Sequence, residues 1–384
     1  MLVRLTNDPR PYAWGEVGAI SRLFGRDASG SPEAELWLGT HAGSPARIVD
    51  DGAPGRDLAR WASETLPEGR LPFLLKVLAA GEPLSLQVHP SPKQARDGFE
   101  RESAAGIPVD APHRSYRDPF AKPELLMALS DPFVALAGFR PAQESAADLA
   151  SLEDTRLRPL LDRLTDDDAL KPTVAWLIAG GHEVSGVVAA LGEAAGSQAS
   201  AEAPPWLRSL ALVSAHYPGD SGVAVATLLH TVVLRPGEAL FLPAGNLHAY
   251  LSGLGIEIMG ASDNVLRCGL TPKHIDADEL LRVLDARSMP APILAPSRPA
   301  PGVTLFSPPV EEFQLVSVDR GAAVDGLAIG SEGPTLVLCL EGSVQLPDGS
   351  TLARGEAVLS DDGPLVVRGD GRLVAARRGI ANTV

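Results

Sequence analysis

The chain has 384 residues, and 33 Lys+Arg against 48 Asp+Glu leave a formal net charge of −15. That length suits two or three domains with ample core, and the acidic balance argues against a general nucleic-acid binder, which needs a basic surface to neutralise phosphates. With 45% hydrophobic and 21% charged residues, the composition excludes a mostly disordered chain, and no apolar run reaches the roughly 18 residues that suggest a membrane span.

The opening MLVRLTNDPRPYAW lacks the basic and apolar regions of a secretory signal, and two cysteines, Cys268 and Cys339, cannot make a disulfide framework. A cytoplasmic enzyme is the expectation. Residues 1–140 are broken by Gly and Pro every several positions, with short runs such as AELWLGT (34–40), LPFLLKVLAA (71–80) and LSLQVHP (84–90). This rhythm predicts a β-rich unit with frequent turns. Between Pro141 and about Tyr217 the period changes: Leu149, Leu152, Leu157, Leu160, Leu161 and Leu164 fall at helical spacings, with Pro159 separating two helices or starting the second. The stretch reads as a helical insertion ending in an Ala/Gly/Ser/Pro linker around residues 192–205.

From Ser221 the β rhythm resumes, interrupted by a helix expected at DADELLRVLDA (276–286). A Pro-rich segment, Pro290 to Pro301, reads as an interdomain linker, and the alternation and turn residues that follow predict a second all-β unit. The expected organisation is a discontinuous catalytic domain (1–140 plus 216–288), a helical domain (141–215) and a C-terminal β domain (289–384).

The most specific local pattern is Gly237-x5-Pro243-x-Gly245-x2-His248. Pro and Gly make a tight turn, and in a small β-barrel His248 then points inward. The spacing resembles the second motif of cupins, whose His is a metal ligand; Ser252 stands where an asparagine often follows. In LSLQVHP, Gln87 and His89 are two residues apart and share one face of a strand. In AKPELLMAL, Glu124 supplies an anionic oxygen and Lys122 shares its face if the segment is extended. Alone, each pattern is common: a packed turn histidine, a chance Q-x-H, a surface ion pair. Together Gln87, His89, Glu124 and His248 make an N2O2 set without thiolates, suited to Zn and also to Mn, Fe or Co in a catalytic role. One carboxylate and three neutral ligands leave a divalent ion with net +1, a good Lewis acid.

SLQVHP, KPE and FLPAGNLHAYLSGLGIEIMGASDNVLRCGLTPKH, with PYAWG, AELWLGTH and SAHYPGDSGV, resemble the signature segments of type I phosphomannose isomerase over about residues 10–290. The resemblance implies a cupin-like jelly-roll catalytic barrel, a helical domain and a second, degenerate C-terminal β-barrel, mainly β in class. It implies one Zn2+ per chain on the four residues above and interconversion of mannose 6-phosphate and fructose 6-phosphate through a cis-enediol or enediolate. Arg267 is implied as catalytic. Trp14, Lys76, Ser85, Lys122, Tyr250, Glu257, Asp263 and Lys273 fall where the family lines its substrate pocket. For the base, Glu257, Asp263 and Lys122 are candidates, with Glu257 preferred and Lys122 assisting. The family commonly has His before Lys-Pro-Glu; here that residue is Ala121. Cys268, where a smaller residue is usual, is expected to be a buried, unreactive thiol.

Three alternatives stay open on the residues alone: a metal- or sugar-binding cupin without catalysis, a metal-dependent oxygenase on the same barrel, and an isomerase of another sugar or sugar phosphate. The C-terminal unit has no ligand cluster at comparable spacing. A small sugar phosphate is the expected partner, with no nucleic acid or membrane, and a monomer suits two barrels packed on each other. Of five lysines (Lys76, Lys93, Lys122, Lys171, Lys273), three lie in the motif segments and Lys93 follows His89 by four. They suggest a positive well in a negative surface.

Overall fold

The computed structural model describes residues 1–49, 57–330, 332–361 and 363–380; the remaining positions of the expected first and last domains lie outside the described residues. In chain order the first strands are β1 Leu2–Thr6, β2 Glu35–Leu38, β3 Arg47–Ile48, β4 Phe73–Ala80, β5 Leu86–Val88, β6 Glu124–Ala128, β7 Phe133–Phe139, β8 Leu229–Leu234, β9 Ala239–Leu242, β10 His248–Gly260 and β11 Leu266–Gly269. Two antiparallel sheets share β10. Its C-terminal half lies between β4 and β6 in the order β2, β4, β10, β6, β9, and its N-terminal half lies between β5 and β7 in the order β11, β5, β10, β7, β8. The result is the expected mainly β, jelly-roll-like sandwich, with inward apolar residues such as Leu78, Leu126, Phe133, Ala135 and Leu240 between the sheets.

β10 changes sheets at a bulge. Ala249 pairs with Leu136 and Tyr250 with Ala135, but Ser252 pairs with Val134, so Leu251 is an extra residue on β10. Gly253 follows with φ +121, and a Cβ there would lie 2.8 Å from the Phe133 ring and from Ser130 Oγ. Because side chains alternate along a strand, one extra residue exchanges the inward and outward sets. His248 and Tyr250 face inward before the bulge, and Glu257 and Met259 face the same cavity after it.

Strand β4 is buried along its whole length, which suits its apolar run. Lys76 and Leu78 point between the two sheets, whereas Leu75, Val77 and Ala79 join Leu125, Met127, Ile256 and Ile258 in a second core. That core is closed by Leu315, Leu336, Leu359 and Val374 of the C-terminal unit, so the two β units pack through one continuous apolar layer.

The helices Ala142–Ala150, Arg158–Leu161, Leu170–Ala179, His182–Gln198, Pro205–His216 and Gly222–Ala226 cover the outer face of the sheet containing β5, β7 and β11. Leu149, Leu177, Val187, Leu191 and Leu210 meet Leu86, Val88, Leu136 and Leu266 there. Pro159 sits in the first turn of its helix. The helix His182–Gln198 runs through the first half of the expected linker because Ala194 and Ala195 are buried with Leu191; the helical stretch also continues beyond residue 215 to Ala226. No single described helix is long and apolar enough to cross a membrane.

The C-terminal strands are β12 Ser297–Ala300, β13 Val303–Phe306, β14 Gln314–Val318, β15 Ala323–Ile329, β16 Thr335–Glu341, β17 Ser343–Gln345, β18 Thr351–Ala353, β19 Ala357–Ser360, β20 Leu365–Gly369 and β21 Arg372–Arg377. They form a sheet in the order β12, β13, β14, β21, β16, β19, β1, β3, facing a smaller one in the order β15, β20, β17, β18. Two expectations change here. Strands β1 and β3 belong to this sheet although the sequence placed residues 1–140 with the catalytic unit; alternating Val3 and Leu5 fill the shared core. The Pro-rich stretch is not a free linker either, since β12 pairs with β13 and the Leu294 N–H donates to Ala239 O of β9 at 2.9 Å.

Replacing Gly253 by Ala is expected to destabilise the protein by about 2–4 kcal/mol, combining a disfavoured left-handed φ with overpacking against Phe133. Gly192→Ala, inside the helix His182–Gln198 where a Cβ meets no atom within 4 Å beyond its own helix, should instead stabilise by about 0.5–1 kcal/mol. Denaturant midpoints of the two variants measure the contrast.

Candidate active site

A cavity of about 460 Å³ opens at the end of the sandwich where both halves of β10 converge. His248 is its first β10 residue, delivered by the Pro243–Gly245 turn, and Gln87 lies directly across from it on β5. His89 follows β5, and Glu124 opens β6. His89 Nε2 is 3.2 Å from Glu124 Oε1, and His248 Nε2 is 3.3 Å from Glu124 Oε2. All three side chains are buried.

The protons on these imidazoles are fixed by their outer partners. His89 Nδ1 is 2.8 Å from the Asn264 carbonyl and His248 Nδ1 is 3.0 Å from the Asn246 carbonyl. A carbonyl accepts, so each Nδ1 is assigned a hydrogen, and each ring turns its Nε2 toward Glu124. Burial, with Lys122 nearby, lowers the His89 pKa to about 4, so its ring is neutral at pH 7. Burial works to raise the Glu124 carboxyl, but Lys122 and the two histidines hold it well below the ordinary value. The His89 Nε2 lone pair and a carboxylate therefore face one another, with His248 Nε2 at the second carboxylate oxygen, and the His89 Nε2 finds no hydrogen bond despite the short separation from Glu124. A divalent cation resolves that arrangement: two imidazoles and one carboxylate fit one without thiolates, and Gln87 lines the cavity beside them.

Lys122 Nζ is 2.9 Å from Glu124 Oε1, as the two-residue spacing suggested. On β4, Lys76 lies between two carboxylates, 2.9 Å from Glu257 and 3.2 Å from Glu35, with its ammonium 4.9 Å from the Trp37 ring centre. Burial works to lower the Lys76 pKa, but Glu257 and Glu35 more than offset it and raise it. Burial raises the Glu257 carboxyl, with Lys76 opposing and Glu124 and Glu35 adding. Burial also pushes the Tyr250 phenol up, and the charges of Glu257 and Glu124 add to it. The hydroxyl of Tyr250 is 3.5 Å from Glu124 Oε2.

Part of the cavity wall is cationic. Arg267 lies across from Gln87, and with Lys273 and Arg117 it lines the wall. Burial and Arg117 lower the Arg267 pKa; burial, Arg267 and Arg117 lower that of Lys273. Among the described residues none of the three cations makes an ion pair. Like charges held together without a counter-ion make an anion site. Trp14, Ser85 and Asp263 also border the cavity, with Trp14 stacked on Tyr12 and the Ser85 hydroxyl accepting from the Gln87 amide at 3.2 Å. The Cys268 thiol is buried and its pKa is raised to about 12 by burial, with Asp220 adding, in keeping with an unreactive group. Ala121 is buried beside Gly260 and brings no polar side chain to the wall.

The structure thus brings every catalytic, substrate and metal candidate except His89 to the wall of one cavity, which His89 reaches through Glu124, and adds several residues; Lys93 does not join the positive well, because it is exposed on the helix after β5 and paired with Asp97. Glu35 shares a strand face with Trp37, which donates its indole N–H to Glu35 Oε2 at 3.1 Å; a carboxylate two residues before a tryptophan in a buried strand was the available signal. Arg117 had none, because arginine makes up 28 of the 33 basic residues and singles nothing out. Asn264 was also invisible: its amide donates to the Asp118 and Phe120 carbonyls and accepts from the Arg117 N–H, tying that loop to the His89 partner.

Comparison with known proteins places this arrangement in a family. Residues 2–142 match the family described as "Phosphomannose isomerase type I, catalytic domain". The chain is 38% identical over 391 residues to the mannose-6-phosphate isomerase of Escherichia coli (strain K12), covering 96% of this chain and 98% of that one. It is 30% identical over 385 residues to the Homo sapiens mannose-6-phosphate isomerase, covering 87% and 86%. A zinc-bound mannose 6-phosphate isomerase crystal structure superposes with a TM-score of 0.88 at 34% identity, over 99% of this chain and 100% of that one. The Salmonella typhimurium enzyme bound to fructose 6-phosphate and zinc superposes with a TM-score of 0.87 at 34% identity over the same shares. With identity of this level across nearly the whole length, the chain belongs to the type I mannose-6-phosphate isomerase family.

Proposed function

We propose that the protein interconverts mannose 6-phosphate and fructose 6-phosphate, with one zinc ion held by Gln87, His89, Glu124 and His248. The observation that carries this reading is a single cavity in which two buried histidines and Glu124 converge and whose wall also holds three cations that form no ion pair among the described residues. A small sugar bearing a phosphate dianion matches both features. The discontinuous unit 1–140 plus 216–288 then acts as the catalytic domain, apart from β1 and β3, with 141–215 as helical cover and 289–384 as the second β unit.

Arg117 and Lys273 hold the phosphate, and Trp14 and Ser85 bound the sugar's path. Lys76, already flanked by two carboxylates, fixes the position of Glu257 rather than carrying free charge to the phosphate. Isomerisation moves one proton from C2 to C1 and one from the C2 hydroxyl to O1. Glu257 accepts the C2 proton and returns it to C1 on the same face, while Lys122 assists the transfer between the oxygens. Arg267, cationic throughout, stabilises the negative charge of the cis-enediolate. The metal, when bound, supplies Lewis acidity for the charge developing on the sugar oxygens. Tyr250, tethered near Glu124, shapes the floor.

A coupled assay with mannose 6-phosphate tests the whole reading. Turnover should disappear on prolonged chelation and return with zinc; turnover that survives with no metal in the protein would defeat the assignment, and metal-dependent binding without turnover would leave a sugar-binding protein.

Glu257→Gln should reduce kcat by about 100-fold or more with metal content unchanged, the scale of a lost general base. A base must be ionised, and burial raises the Glu257 carboxyl, so kcat should fall with decreasing pH along a limb above the ordinary glutamate range. That limb should be missing from the pH profile of the variant.

Arg117→Ala and Lys273→Ala should raise KM for mannose 6-phosphate by about tenfold or more each, the scale of a lost charge-assisted contact to an anion. Steady-state kinetics on mannose 6-phosphate and on unphosphorylated mannose separates this from a general loss of binding, because any turnover of the neutral sugar should be little changed.

A further inference from the structure

AELWLGTH ends on a histidine that the site as described does not use. His41 is absent from the catalytic cavity wall. It stands behind Asp263, in the wall of a neighbouring cavity of about 460 Å³ that shares Asp263 and Arg117 with the first. We propose that His41 is the positioning residue of Asp263, presenting its carboxylate to the catalytic cavity as an acid–base group for the sugar; the proposal rests on the isomerase reading above.

The geometry assigns the proton. His41 Nδ1 accepts the Gly43 N–H at 3.1 Å, so the ring hydrogen is on Nε2, which lies 3.3 Å from Asp263 Oδ1. The ring is gripped: its side chain is 9% exposed, and it meets Trp37 edge-on with centroids 5.0 Å apart. A Cβ on Gly43 would lie 3.3 Å from the His41 ring and 3.4 Å from Trp37, so the turn carrying the donor is closely fitted. An imidazole fixed by a backbone donor on one nitrogen and donating from the other orients a carboxylate without needing to titrate. The main chain of Asp263 is held as well, its N–H donating to Asp118 Oδ2 at 2.8 Å. What remains free is the side-chain rotation of a carboxylate that is 44% exposed, and His41 removes it.

The groups bearing on Asp263 are His41 from the turn after β2, Lys122 and Arg117 from the segment before β6, and Asp118 from that same segment, with Arg70 in the shared cavity. Burial works to raise the Asp263 carboxyl, but the His41 hydrogen bond, Lys122 and Arg117 hold it below the ordinary aspartate value. Removing the His41 donor should therefore move that titration upward.

The experiment compares His41→Leu, which removes the donor, with His41→Gln, whose amide nitrogen can reach the same place, and with Asp263→Asn and the His41→Leu/Asp263→Asn pair. His41→Leu is expected to lower kcat by about tenfold to 100-fold, the range for loss of a group that orients an active-site ligand, with KM for mannose 6-phosphate within about twofold and metal content unchanged. His41→Gln should restore most of the loss, and His41→Leu should cost less than about twofold in the Asp263→Asn background. Carbon-13 NMR of labelled aspartate should show the Asp263 titration raised in His41→Leu and restored in His41→Gln. Wild-type kcat in His41→Leu, an equal loss in both backgrounds, or an unmoved Asp263 titration would each overturn the proposal. The titration is read without turnover, so it decides the positioning even if mannose 6-phosphate proves not to be a substrate.

Discussion

The site depends on one extra residue in β10. Without Leu251 out of register, the alternation along that strand would continue unbroken, and a cavity receiving His248 and Tyr250 would receive Ile256 and Ile258 in place of Glu257 and Met259. The metal end and the proton-transfer end would then lie on opposite faces of the same strand. The bulge and Gly253 let one continuous element serve two sheets while presenting both chemistries to one space. Its close fit to Phe133 means that the join is rigid, and rigidity is what a site assembled from two sheets requires.

Around that join the electrostatics are arranged in layers. Backbone carbonyls of Asn264 and Asn246 hold the Nδ1 edge of each histidine, so that both Nε2 atoms converge on Glu124. One strand away, Lys76 is sandwiched by Glu257 and Glu35 and stays charged despite its burial. Only the wall with Arg117, Arg267 and Lys273 carries positive charge without ion-pair partners among the described residues. The net charge of −15 is thus no obstacle to an anionic substrate, because the surface average and the cavity wall are different electrostatic environments.

Much of this was readable before the structure, and for physical reasons. Spacings of two pair Gln87 with His89 and Lys122 with Glu124, although His89 stands just past the end of β5 and Lys122 just before β6. Rarity made the lysines informative: Lys76 interrupts a run of apolar residues, and a charge there demands partners. The partners were not equally visible. Glu35 reaches Lys76 across β2 and β4, a pairing that no local pattern specifies, and Arg117 arrives on a loop whose position is set by Asn264. The parity change in β10 was hidden because a bulge is a property of two paired strands. For the same reason β1 was misplaced, since an alternating run announces a strand and not its neighbour.

The placement of β1 bears on how the protein is made. Its hydrogen-bonded partner on one side is β19, with Leu2 across from Ser360 and Leu5 across from Ala357. A chain emerging from the ribosome in sequence order therefore carries β1 with only the short β3 to pair with, and its other edge open, through almost the whole of synthesis. The layer built from Val3, Leu5, Leu75, Ile258, Leu336 and Leu359 cannot close until the last strands appear, although the catalytic cavity's own residues are all present by Lys273. Closing such distant contacts is slow. The outer wall of the catalytic sheet is thus among the last surfaces to be covered, and it is in that interval that newly made chains are most open to aggregation and to chaperone capture.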